Sequence, residues 1–261
     1  MTLFFHEMRR SRLSLIIWSA ALSYMLLICV VIYPEMKSQM GELGDMFADM
    51  GAFSDAFGME MLVGGDFLSY FALECGEVLG IGGSIFAAIA GIGSLSKEQR
   101  DRTAELLLTQ PLTRAKVITQ KLLSVLCQIV LLNIATIGVS VVGIVAIGEN
   151  PDAKKLALVF LSYFLLQIEI ALICFGISAF IRRGAIGIGL GISLAFYFIN
   201  IVANISEEVE FLKYATPFAY TDASYILENS AIDWKYLIIG GGLALLGGLF
   251  AYARYTKKDI L

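Results

Sequence analysis

Glu74, Glu77 and Glu169 interrupt long apolar runs. A carboxylate so placed binds a cation, carries a proton or holds a polar partner. Glu74 and Glu77 stand at i and i+3 on one helical face, a spacing that could line a shared vestibule. Glu169 falls near the middle of its run, where a charge costs about 2.5–3.5 kcal/mol on insertion scales. Two roles stay open for all three residues: contact with a cationic or amphipathic substrate, or a protonated or hydrogen-bonded structural role near Gln128, Asn133 or Gln167. No Ser/His/Asp set, acid/base pair or metal-ligand cluster accompanies them. The single His6 lies beside arginines, and Cys29, Cys75, Cys127 and Cys174 each sit alone in an apolar run. They read as small buried hydrophobes, so no catalytic residue and no resident metal are expected.

The elements that must position these carboxylates follow from composition. Of 261 residues, 58% are apolar and 16% charged, with a mean hydropathy of +0.78. An ordinary soluble domain carries about 25% charge. A bilayer-crossing helix needs about 20 mainly apolar residues, because hydrocarbon offers no water to a bare peptide group. Six runs qualify: 13–33, 67–95, 117–147, 156–181, 184–203 and 236–255. The first is long and lacks a small-residue cleavage site, so it reads as a retained anchor. With the N-terminus inside, 14 of the 19 basic residues lie on the cytoplasmic side, counting Lys121 near the start of the third run. The positive-inside rule then places both termini in the cytoplasm. The net charge of -4 argues against a nucleic-acid partner. One transmembrane domain, 1–261, is expected in the cell membrane.

Between the runs, Phe4, Met8 and Leu15 share a helical face, which predicts a short N-terminal interfacial helix feeding the first span. In the outer loop 34–66, Leu43, Met46, Phe47 and Met50 recur at i, i+3, i+4 and i+7, an amphipathic helix for the outer leaflet or the bundle. The last outer loop carries Glu207, Glu208 and Glu210 and then an aromatic stretch suited to a membrane interface. Gly83-Ala87-Gly91, Gly187-Gly191 and Gly240-Ala244-Gly248 have the four-residue spacing that lets helices approach closely.

The longest polar stretch inside the cell joins the second and third spans, from Leu95 to Lys116. Ser96 followed by Gln99 has the form of a capping box, and Pro111 marks a helix stop. A short charged helix with an apolar patch at Leu106, Leu107 and Leu108 is predicted over 96–114. Such a patch on a projecting helix points to docking, against the bilayer surface or a soluble partner.

Ser96-Lys-Glu-Gln-Arg-Asp-Arg-Thr103-Ala-Glu105-Leu-Leu-Leu-Thr-Gln-Pro111-Leu-Thr-Arg114 resembles the cytoplasmic coupling segment of the type 2 ATP-binding-cassette export permeases. There a charged run leads to Thr, then Glu-Leu-Leu, then Pro-x-Ser/Thr-Arg. Leu212-Lys-Tyr-Ala-Thr-Pro217-Phe-Ala-Tyr220 is similar to an element this family carries between its last two spans. Arg102 departs from the pattern, since many members have Gly before the Thr. The resemblance implies an all-α membrane protein of six transmembrane helices with a cytoplasmic coupling helix between spans 2 and 3. It implies no chemistry in this chain, which has no G-x-x-x-x-G-K-[ST] phosphate loop.

By the same resemblance, two permease subunits pair as a homo- or heterodimer. Two cytoplasmic ATPase subunits, which bind the ATP and Mg, engage the coupling segment. Carried over residue by residue, Glu98, Arg100, Arg102, Thr103, Glu105, Pro111 and Arg114 couple to the ATPase, and Leu106 to Leu108 anchor the helix. Export of an amphipathic peptide or hydrophobic drug, as in antimicrobial-peptide or multidrug resistance, is the expected activity. The alternatives are a membrane sensor or assembly factor that binds an ATPase without transporting, and an ATP-independent carrier or channel. Glu74, Glu77 and Glu169 are the candidates for the substrate pathway.

Overall fold

A computed structural model describes residues 2–37, 66–100, 113–181 and 185–257, together with 51, 54 and 59. The described residues are helical apart from short connections. In chain order the elements are α1 (Thr2–Lys37), α2 (Phe67–Cys75), a π-helical stretch (Gly76–Gly83), α3 (Ser84–Arg100), α4 (Arg114–Ala146), α5 (Ala153–Ser178) and α6 (Ala185–Ile205). Two 3-10 segments, Glu207–Ala215 and Pro217–Thr221, then lead to α7 (Ala223–Asn229) and α8 (Trp234–Lys257). Among the described residues, six helices are long and apolar enough to cross a membrane: Leu3–Lys37, Phe67–Ser96, Arg114–Ala146, Ala153–Ser178, Ala185–Ile205 and Trp234–Thr256. Each overlaps one of the six sequence runs to within a few residues, except at the first.

There the helix expected over the first dozen residues is present but runs into the first span without a break. At 36 residues, α1 extends about 54 Å, well beyond the ~30 Å hydrocarbon layer. The stripe expected at Leu43 to Met50 lies outside the described residues.

Helix ends are set by local chemistry. The Asp152 carboxylate accepts from the Lys154 and Lys155 amides at 2.8 and 3.3 Å, opening α5. After α4 the chain turns at Gly148, whose φ of +77° is costly for a residue with a Cβ. Asp222 opens α7 as Asp152 opens α5, with Ser224 and Tyr225 as donors.

Packing centres on the second and fourth spans. Helix α5 lies against α3 on one side and α8 on the other, α1 pairs with α4, and α6 lies against α3. A Cβ at Gly91 would overlap the Ala171 carbonyl, and one at Gly176 would overlap the Gly247 backbone, so these contacts are backbone against backbone. The Gly83-Ala87-Gly91 stripe therefore faces α5, as its spacing predicts. At the last span the spacing selects Gly240 and buried Ala244 correctly, while the closest crossing is made by Gly247. Gly187 and Gly191 meet nothing within 4 Å, and it is Gly189 between them that packs on Ile92 and Ala88.

Both chain ends lie at one end of the bundle. The Phe4 amide bonds Gln120 Oε1 at 3.3 Å, and Arg114 Nη1 bonds the Thr256 carbonyl at 3.4 Å. At the opposite end Lys37 pairs with Glu149 at 3.0 Å.

Candidate functional site

At the end that holds the chain termini, the bundle presents the two roots of the 96–114 segment. Helix α3 continues through Ser96, whose hydroxyl donates to the Ile92 carbonyl at 2.7 Å. Ser96 therefore bonds back within a helix already formed and does not cap a new one. The apolar run upstream had propagated the helix past the local capping signature. Glu98 and Arg100 lie on the last turn of α3. Arg102, Thr103, Glu105, Leu106, Leu107, Leu108 and Pro111 lie outside the described residues.

Thr113 caps α4 by accepting from the Lys116 amide at 3.4 Å, and Arg114 is the first residue of that helix. Both roots are fixed. Leu95 and Ile118 are buried with Phe175, Ala179 and Ala251. Thr119 Oγ1 lies 3.1 Å from the Tyr252 hydroxyl, which donates to the Ala115 carbonyl at 3.3 Å.

The second group of residues lies within the spans. Glu74 accepts the Cys29 thiol at 3.3 Å, from α1. Glu77 accepts the Tyr197 hydroxyl at 3.1 and 3.3 Å, from α6. The two carboxylates thus engage different neighbours, one on each adjoining helix. A π-helical stretch begins between them at Gly76, and its wider turn departs from the α-helical register. Such stretches concentrate at functional positions. Gly76 and Gly80 give the Tyr163 ring room against it, and Tyr163 donates to the Thr221 carbonyl at 3.4 Å.

Glu169 belongs to another interface, between α5 and α8. It is 5% exposed, and its carboxylate lies on Gly240, where a Cβ would collide with it. Beside it stands Tyr220, whose phenol is pushed well above the ordinary tyrosine range by burial and by the neighbouring Glu169. Gln167, one of the partners the sequence offered for Glu169, instead accepts Asn133 Nδ2 at 2.7 Å, while Gln128 donates to its own helix at Ser124. Gln167 Nε2 and Asn133 Oδ1 are buried with unused hydrogen-bonding capacity, while the buried Tyr220 hydroxyl and the Glu169 carboxylate interact with each other.

Sequence reasoning missed Tyr163, Tyr197 and Tyr220 as the partners of this region. For Tyr220 a signal existed. Thr216 followed by Pro217 is a cap followed by proline at the first helical position, which marks an ordered segment. Thr216 accepts from the Phe218 amide at 3.2 Å and donates to the Phe196 carbonyl at 2.9 Å. Pro217–Thr221 is buried throughout, so the aromatics assigned to a membrane interface are divided. Phe218 and Tyr220 enter the bundle, while Phe211 and Tyr214 stay exposed.

The sequence matches, over residues 1–260, the family described as ABC-2 family transporter protein. No curated protein matches it.

Proposed function

We propose, because the chain belongs to the ABC-2 transporter family, that it is the permease subunit of an ATP-driven exporter. The observation that carries this reading is the family match along the whole chain, with the 96–114 segment rooted in three helices of the bundle. Two copies, or this chain and a related one, pair in the membrane with their termini in the cytoplasm. Two ATPase subunits, holding ATP and Mg, dock on Glu98, Arg100, Arg102, Thr103, Glu105 and Arg114, with Leu106 to Leu108 seating the helix and Pro111 ending it. Nucleotide-driven closure of the ATPases then swings the segment and rearranges the paired bundles.

The exported molecule is a cationic amphipathic peptide or a hydrophobic drug. Glu77 is exposed in the single chain and lies within a span. A carboxylate at that depth facing lipid is unfavourable. Pairing of two permeases over this face gives Glu77 and Tyr197 a shielded path to line, with Glu74 behind them. Glu169 acts at the α5–α8 interface, where its carboxylate and Tyr220 exchange partners as the helices shift.

Two measurements test the reading. The R102E/E105R double reversal should insert normally yet lose the copurifying ATPase, and unchanged copurification would contradict docking through this segment. In a reconstituted complex, a cationic amphipathic peptide should stimulate ATP hydrolysis and accumulate across the membrane. Turnover that responds to no translocated molecule would favour a sensor.

A further inference from the structure

Lys121 lies two turns into α4 with only 1% of its side chain exposed. Its Nζ donates to Glu7 Oε1 at 3.0 Å and to the Ser94 carbonyl at 2.8 Å. The three atoms come from α1, α3 and α4. Burying an ammonium is unfavourable unless its donors are met. An apolar residue would fill the same space without that cost, so the charge here specifies which helices meet and in what register. The neighbouring residue repeats the contact. Gln120, also buried, accepts the amide of Phe4, one of the first-turn N–H groups that a helix cannot satisfy itself. Adjacent residues of α4 therefore grip α1 at Phe4 and Glu7, one turn apart. Leu3, next to Phe4, is buried.

The position of this grip matters because of what adjoins it. Ser94 lies two residues before Ser96, and Lys121 seven residues after Arg114. The pair thus joins the start of α1 to both roots of the segment that the proposed function assigns to ATPase docking. We infer that Lys121 is a positioning residue, fastening residues 2–12 to the bases of α3 and α4 so that all three move as one body when the segment is displaced. The N-terminal turns of α1 are then part of the transmission unit as well as a membrane anchor. This inference rests on the proposed function for the source of the displacement, and on the contacts of Lys121 and Gln120 for the fastening.

The test uses the full-length permease in lipid nanodiscs, alone and with its ATPase subunit, as wild type, K121M and E7Q. E7Q keeps the shape of the pair and serves where K121M does not accumulate. Hydrogen exchange over residues 2–12 should rise at least tenfold in the variants, with the remaining spans unchanged. In the complex the ATPase should still copurify, while molecules exported per ATP hydrolysed fall at least fivefold. K121R should restore both readouts. A residue with a purely structural role would lower the amount of complex and leave the export-to-ATP ratio intact. Unchanged exchange in both variants, or raised exchange with an unchanged ratio, would overturn the inference. Failure of the wild-type permease to bind any ATPase would instead defeat the functional reading, and the exchange measured on the permease alone would still decide the fastening.

Discussion

The second span has two unlike faces. Toward α5 it presents Gly83, Ala87 and Gly91, and the helices meet so closely that a single added carbon at Gly91 strikes backbone. Toward α1 and α6 it presents Glu74 and Glu77, each holding one side-chain hydrogen bond across a helix boundary. The first face is fixed by shape, most tightly at Gly91. The second depends on polar contacts that can be exchanged for others, and it borders α6, only 11% of whose apolar window is buried against the rest of the chain. The π-helical stretch begins between the two carboxylates. On the proposed function, the first face holds the form of the molecule and the second meets substrate or a second subunit.

Substitutions should respect that division. The largest effect belongs to G91L, because the Ala171 carbonyl cannot yield as a side chain can. It should destabilise the protein by about 3 kcal/mol or more, read as lost monodisperse yield and a lowered melting temperature. G83L should cost less, about 1–3 kcal/mol, since the side chain it meets is Gln167, which can swing once it gives up Asn133. A full loss equal to that of G91L would mean that this part of the interface is as rigid as backbone contact.

On the other face the expectation reverses. Y197F removes one hydrogen bond, about 1 kcal/mol, yet should reduce export several-fold by freeing Glu77. E77Q retains an acceptor for Tyr197 and should abolish the preference for cationic over neutral amphiphiles in transport assays. Normal preference in E77Q would remove the charge from the substrate path. G187L, in open space within the single chain, should change stability by less than about 0.5 kcal/mol. A marked loss of the paired form, seen by native mass spectrometry, would place that face at the subunit contact.

The six spans were legible in the sequence because each rests on apolar length, which no tertiary contact can override in lipid. The stripe at Gly83, Ala87 and Gly91 was legible for a similar reason, since its spacing acts within one helix. What escaped was long-range or register-dependent. Nothing near Lys121 indicates that its partner is Glu7, 114 residues earlier. The π-helical stretch that begins between Glu74 and Glu77 is one that the glycines at 76, 80, 82 and 83 permit without demanding. Ser96 carried a capping signature that reads alike at a helix start and in a helix interior, and only the upstream apolar run decides between them. The aromatics around Pro217 were assigned by composition to an interface, whereas the cap formed by Thr216 turns half of them inward.

The central claim is that the segment from Ser96 to Arg114 lies in the cytoplasm and is covered there by an ATPase. A cysteine placed at Thr109 and challenged with a membrane-impermeant maleimide tests it, with the unsubstituted chain controlling for the native cysteines. The account predicts no labelling in intact cells, strong labelling in inside-out vesicles stripped of ATPase, and protection when the ATPase is returned. Labelling in intact cells, or labelling in vesicles that the ATPase does not diminish, would contradict it.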